Sequence, residues 1–253
     1  MMEVALAGWS LVRRFKAEEN PLLLLDFPRV AVEEFGISVV ELNNVFMASH
    51  EPDYLEELNQ AAKRYGVKMI GMAVDGTGDL SQVDESARKQ AVANAKAYFP
   101  IAKALGLGFF RVNTGGQANG PEEMVQACIN SYRELAEEGA KTGIRITIEN
   151  HGGLSTDPDV VVRIMEEVGT PWIGTLPDFG NYPDEIRYEG IAKMAPYAAA
   201  CHAKFREFDE NGEDPRIDAK RLLGIMRDTG FDGYVCIEIP DVLKAKALLE
   251  KYI

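Results

Sequence analysis

The polarity of the chain switches repeatedly between two periods. Short apolar runs rich in β-branched or aromatic residues open near residue 4 (VALAGW), 39 (VVELN), 67 (VKMIGMAV), 109 (FFRVN), 144 (IRITIE), 172 (WIGTL), 199 (AACHAKF) and 234 (YVCIEI), and they predict eight strands. Their starts are 35, 28, 42, 35, 28, 27 and 35 residues apart, about 33 on average, which is the length of a strand, a helix and two connections. Helical periodicity fills the gaps. Along DYLEELNQAAKRYG, for example, Tyr54, Leu55, Leu58, Ala61, Ala62 and Tyr65 share one face.

Turn residues fall where this alternation needs them. Five predicted helices stop at Gly66, Gly106, Gly143, Gly169 and Gly230, each just ahead of a strand, where glycine can take the left-handed conformation that closes a helix. Gly120-Pro121, Asp157-Pro158 and Asp214-Pro215 read as helix starts. Eight βα units in 253 residues most simply close into a single-domain (β/α)8 barrel, α/β in class, spanning 1–253. A doubly wound open sheet is the alternative, but no phosphate-binding glycine motif follows the first strand. The connection over 12–38, with its PLLLLDFPRV run, is the least regular stretch.

Charge narrows the function classes. The formal net charge of −13 disfavours nucleic acid and anionic membrane surfaces as partners. Cys128, Cys201 and Cys236 are odd in number and lack CxxC spacing, which points to a reducing compartment with no disulfide framework. No apolar run is long enough to span a membrane, and Glu3 stands where a signal peptide carries positive charge, so the expectation is an unprocessed cytoplasmic protein.

In a barrel of this kind, chemistry belongs at the carboxyl ends of the strands. Strand alternation turns Ile144, Ile146 and Ile148 outward and leaves Glu149 inward at the rim; the same logic turns Glu238 and His202 inward, with Asp178 ending the sixth strand. Three carboxylates and an imidazole on one mouth repel one another unless a cation joins them, and this oxygen-rich donor set suits Mn²⁺, Mg²⁺ or Co²⁺ at least as well as Zn²⁺. Among supporting residues, His151 in ENHGG and Arg206 beyond the seventh strand are candidates for substrate oxygens, and Lys204 faces inward with His202 as a charge partner. Glu41 and Arg111 share the inward parity and are expected to pair with each other. His50 reads as a solvated loop residue and Trp9 as rim packing.

The segments ITIENHGG, TLPDFGN, CHAKF and CIEIP, in this order, resemble the xylose-isomerase-like TIM-barrel superfamily of sugar phosphate isomerases and epimerases. The resemblance covers essentially the whole chain. It implies that Glu149, Asp178, His202 and Glu238 hold one divalent cation and that Glu149 and Glu238 also act as acid and base, turning over a carbohydrate or polyol through an enediolate. A homo-oligomer is an open possibility. Ketohexose 3-epimerases of that superfamily commonly carry a histidine three residues after the aspartate and an arginine six after the ligand histidine. Here those positions are Asn181 and Phe208, which makes Asn181 and Arg206 the substrate-contact candidates. The superfamily's metal-dependent dehydratases of keto-polyols or dehydroshikimate-like acids supply the alternative reaction. An endonuclease IV-like phosphodiesterase, which binds three metals, fits poorly with only three histidines, and a non-catalytic binding barrel is the remaining class.

Overall fold

In the computed structural model, which describes all 253 residues, the eight predicted strands form one parallel sheet. They are β1 (Glu3–Ala7), β2 (Val39–Asn43), β3 (Lys68–Val74), β4 (Phe109–Val112), β5 (Arg145–Glu149), β6 (Ile173–Leu176), β7 (Ala200–Ala203) and β8 (Tyr234–Ile237). Ladder pairing runs without interruption from β6 through β1 to β8 and β7. The last seam, between β6 and β7, is closed by the single bridges Thr175–Ala198 and Asp178–His202. The chain therefore folds as a TIM barrel, and its closure sets Asp178 beside His202.

Outside the sheet lie α1 (Val12–Phe15), α2 (Phe27–Phe35), α3 (Pro52–Arg64), α4 (Glu85–Lys96), α5 (Tyr98–Ala104), α6 (Glu122–Thr142), α7 (Pro158–Val168), α8 (Arg187–Met194), α9 (Ala219–Asp228) and α10 (Val242–Glu250). The main core fills the space between helices and sheet, with Ile146, Ile148, Val235 and Ile237 on its strand side and Leu58, Val161 and Leu222 on its helix side. Truncating one such aliphatic to alanine costs about 2–5 kcal/mol. A second, smaller apolar layer plugs the lumen with Ala5, Ala7, Val39, Ile70, Phe109, Leu176, Ala200 and Cys236. Phe109 fits there because residue 71 is glycine: a Cβ at Gly71 would lie 2.4 Å from the ring.

The predicted helix stops hold, since Gly66, Gly106, Gly143, Gly169 and Gly230 all have φ between 60° and 78°. Asp157 caps α7 by accepting the Asp159 N–H at 2.9 Å. Two predicted starts are corrected. Pro121 is itself the capping position of α6 rather than its first helical residue. No helix opens at Asp214-Pro215; α9 begins at Ala219, capped by Asp218 through the Arg221 N–H at 2.9 Å. Asp214 instead ties down the loop after β7, accepting the backbone N–H of Arg206 at 2.6 Å, Arg216 at 2.8 Å and Ile217 at 3.0 Å. Over 12–38 the chain makes two short helical segments, α1 and a 3-10 turn at Leu24–Asp26, before α2. No helix is long and apolar enough to cross a membrane, and all three cysteines are buried and free.

Candidate metal and acid–base site

Four consecutive strands deliver one ligand-capable side chain each to the carboxyl-end mouth. Glu149 ends β5, Asp178 follows β6, His202 lies in β7 and Glu238 follows β8. One donor atom from each lies within 4.8 Å of the others, and all four residues are buried. The inward parity read from the strands is borne out: Val235, Ile237 and Ile239 join the outer core while Cys236 joins the lumen layer.

His202 Nδ1 faces the cluster, 3.3 Å from Glu149 Oε1, 3.7 Å from Glu238 Oε1 and 3.8 Å from Asp178 Oδ2. The ring's other nitrogen, Nε2, is 2.6 Å from Glu41 Oε2. Asp178 is fixed at both ends: its backbone exchanges two hydrogen bonds with the Asn150 side chain, at 2.7 and 3.0 Å, and its Oδ1 accepts the Gly180 and Asn181 N–H groups at 2.7 and 2.9 Å. Lys204 reaches across with Nζ 2.9 Å from Asp178 Oδ2 and 2.5 Å from Glu238 Oε2. Asn181 ties the sides together, donating from Nδ2 to Glu149 Oε1 at 3.2 Å and accepting from Lys204 Nζ at 3.1 Å.

The expected Glu41–Arg111 pair does not form. Both side chains enter the lumen, but Arg111 places Nη1 2.6 Å from Asp75 Oδ1 and Nε 3.0 Å from Glu149 Oε2, leaving Glu41 to His202. Asp75 was not singled out in the sequence, and β3 explains why. Its register against β2 slips at Val40/Glu41, so that Ile70 and Gly71 together oppose Glu41; alternation counted from the start of β3 would put Val74, not Asp75, in the lumen. Asn113, with Nδ2 3.1 Å from Asp75 Oδ1, completes this group.

His151 is exposed in the loop after β5, with no side-chain hydrogen bond, and its charge bears on Glu149. Arg206 is exposed, and its Nη2 donates to the Gly180 carbonyl at 3.1 Å. His50 is exposed, and half-buried Trp9 stacks on Phe46 at a centroid distance of 5.8 Å.

Electrostatics divide the cluster. Burial pushes the Glu149 carboxyl up, but Arg111 and then His202 outweigh it and hold it well below the usual carboxylate range. Burial raises Asp178; Lys204 opposes this while Glu238 and Glu149 add to it, and the group is pushed up to about 7. Burial works against a charged His202, yet Glu41, Glu238 and Glu149 raise it well above an ordinary histidine. Glu149 Oε2 pairs with Arg111 Nε at 3.0 Å, and Asp178 Oδ2 and Glu238 Oε2 pair with Lys204 Nζ at 2.9 and 2.5 Å, so two cationic side chains compensate these buried oxygens. Glu149 Oε1, Glu238 Oε1 and Asp178 Oδ2, gathered around His202 Nδ1, form a buried donor set that can bind a metal ion.

A relative from a Microbacterium species, the 3'-dehydrocarminate deglycosidase alpha subunit, is 36% identical over 104 residues; the match spans 41% of this chain and only 26% of that protein. Among solved structures, a D-psicose 3-epimerase from Clostridium cellulolyticum H10 with D-tagatose superposes with a TM-score of 0.81 at 14% identity, covering 99% of both chains. An IOLI protein with a bound zinc atom superposes with a TM-score of 0.78 at 15% identity, covering 100% of this chain and 99% of its own. The family model for the xylose isomerase-like TIM barrel matches residues 30–251, and the chain belongs to that family.

Proposed function

We propose that this chain is a divalent-metal-dependent isomerase or epimerase of a sugar, sugar phosphate or keto-polyol. In this reading Glu149, Asp178, His202 and Glu238 hold one cation, Mn²⁺, Mg²⁺, Co²⁺ or Zn²⁺, and Glu149 and Glu238 also transfer the substrate proton. The observation that carries it is the meeting of these four buried donors within 4.8 Å of one another. A cation held by these residues would supply Lewis-acid chemistry, drawing electron density from a substrate carbonyl and its neighbouring hydroxyl so that the carbon-bound hydrogen between them becomes more acidic.

The rest falls to the chain's own groups. Glu149 and Glu238 stand on different strands of the mouth, so one carboxylate can accept the proton and the other return it. Return to the opposite face of the same carbon inverts that centre; return to the adjacent carbon interconverts aldose and ketose. Lys204, with Nζ between Asp178 and Glu238, donates to a substrate oxygen and keeps the local charge balanced. Asn181, His151 and Arg206 contact substrate hydroxyl or phosphate oxygens from the rim.

A second reading is favoured by the partial match to the deglycosidase subunit. The same proton abstraction, followed by loss of a leaving group from the next carbon, is an elimination, as in a dehydratase. One experiment addresses both. Metal-stripped protein, with and without added Mn²⁺, is incubated in D₂O with a panel of ketoses, aldoses and keto-inositols. Deuterium bound to carbon in an isomer of the substrate supports the first reading, and an unsaturated product supports the second. Turnover indifferent to the metal overturns both.

A further inference from the structure

Glu41 is a buried carboxylate for which the chemistry above has no use. It sits in the lumen on β2, in register with Ala7 on β1 and Gly71 on β3, beside the apolar plug and 1% exposed. The nearest guanidinium in the lumen, that of Arg111, is committed to Asp75 and Glu149. Its short charged contact is with His202 Nε2, 2.6 Å from Oε2; the Cys236 thiol is its other polar neighbour. A carboxylate inside an apolar layer is costly, so its single strong contact has to account for it.

That contact decides which ring nitrogen can serve as a ligand. With a carboxylate oxygen 2.6 Å away as acceptor, the ring hydrogen sits on Nε2, and the lone pair of the neutral ring then belongs to Nδ1. Nδ1 is the nitrogen that looks onto Glu149, Glu238 and Asp178 at 3.3, 3.7 and 3.8 Å. We infer that Glu41 is a positioning residue that holds His202 as its Nε2–H tautomer and aims Nδ1 at the cation. The inference rests on the metal-binding reading above. Glu41 touches neither the other ligands nor the open mouth, so it acts through His202.

The test uses Zn²⁺ alone, without sugar. Zinc affinity is measured by calorimetry for the wild type, Glu41→Gln and Glu41→Asp, and the ring of His202 is read by two-bond ¹H–¹⁵N NMR of the zinc-loaded protein, where only His50 and His151 add further signals. The expected spectrum shows Nε2 protonated and Nδ1 ligated. Glu41→Gln is expected to weaken zinc binding about 10- to 100-fold, and Glu41→Asp, which keeps a carboxylate, to recover part of the loss. A purely structural role would lower the melting temperature and leave tautomer and affinity unchanged. Ligation through Nε2, or a folded Glu41→Gln with wild-type affinity, overturns the inference and leaves the metal site standing. A wild type that binds no zinc overturns the metal-binding reading and this inference with it. Should Glu41→Gln fail to fold, the wild-type spectrum decides alone.

Discussion

The two glutamates of the mouth come from equivalent strand ends, yet their surroundings differ. Glu149, on the β4–β5 side, is met by Arg111 at 3.0 Å, Asn181 at 3.2 Å and His202 at 3.3 Å, and Arg111 is itself anchored by Asp75. Glu238, on the β7–β8 side, has Lys204 at 2.5 Å and His202 at 3.7 Å, and it keeps slight exposure. A guanidinium fixed in a buried layer lowers the proton affinity of Glu149 against its burial. A lysine on a flexible stem leaves Glu238 freer to reorient. The difference separates a carboxylate held rigidly by three partners from one tethered by a single flexible side chain.

The largest effect should come from removing either of the two glutamates that the proposed function makes proton carriers. Glu149→Gln and Glu238→Gln are each expected to lower turnover about 10²- to 10⁴-fold, because an amide keeps a carbonyl oxygen for the cation but exchanges no proton. Solvent exchange sharpens the contrast. Glu149 is held by Arg111, Asn181 and His202 while Glu238 is freer to approach substrate, so Glu149→Gln should still wash substrate hydrogen into D₂O faster than Glu238→Gln does. Equal exchange in the two variants would erase the distinction. Near wild-type turnover in either fully metallated variant would break the two-glutamate mechanism.

The β7–β8 side offers a second test. Lys204 Nζ compensates Asp178 and Glu238 in the metal-free protein, and its side chain is only 26% exposed. Lys204→Met leaves two buried carboxylates facing each other, a loss of about 3–5 kcal/mol for a broken buried pair. Metal-free Lys204→Met should therefore melt well below the wild type, by roughly 2–4 °C for each kcal/mol, and saturating Mn²⁺ should narrow the gap. A gap that Mn²⁺ leaves untouched would show that lysine and cation do not balance the same charges.

Asp178 and Glu149 differ in sign, and pH separates them. In the metal-free protein Asp178 is pushed up to about 7 by burial, against Lys204 and with Glu238 and Glu149. Between its unfolded value near 3.8 and about 7, the folded state holds a proton that the unfolded chain has lost. Its contribution is present below pH 3.8 and disappears as pH rises through about 7. Glu149, held low first by Arg111 against its burial, contributes the opposite way: its stability is present above 4.5 and is lost as pH falls below that value. Chemical denaturation of metal-stripped protein should show stability falling from about pH 5, above the Glu149 range, to about 7, and Asp178→Asn should flatten that slope. A slope that persists in Asp178→Asn would assign it elsewhere.

The fold was legible because the apolar pattern repeats: eight runs became eight strands, and five glycines closed five helices. The inward parity of Glu149, His202 and Glu238 was equally open to view, since outward isoleucines and valines mark the other face. Partner choice was not. Glu41 and Arg111 both point inward, but which residue each meets depends on the stagger between strands and on the bulge in β3, and neither is written in local sequence. Asp75 stayed hidden for the same reason. Asp214-Pro215 misled because the aspartate's backbone hydrogen bonds tie a loop rather than cap a helix.

Arg206 is the smallest effect and the one that bears on substrate charge. Its side chain makes a single hydrogen bond, to the Gly180 carbonyl at 3.1 Å, while its backbone N–H is held by Asp214. Gly180 is packed so closely that a Cβ there would lie 2.7 Å from the Lys204 carbonyl, so the turn that presents Asp178 and Asn181 is already fixed without the arginine. Arg206→Ala should then cost about 0.5–1.5 kcal/mol and leave metal affinity unchanged. Its effect on substrate depends on charge, because an exposed guanidinium close to the mouth grips a phosphate bidentately but adds little to a neutral hydroxyl. KM for a phosphorylated substrate should rise at least tenfold in Arg206→Ala, and KM for an unphosphorylated one should barely move. A variant whose KM is unchanged for sugar phosphates would remove Arg206 from the substrate contacts and leave recognition to Lys204, Asn181 and His151.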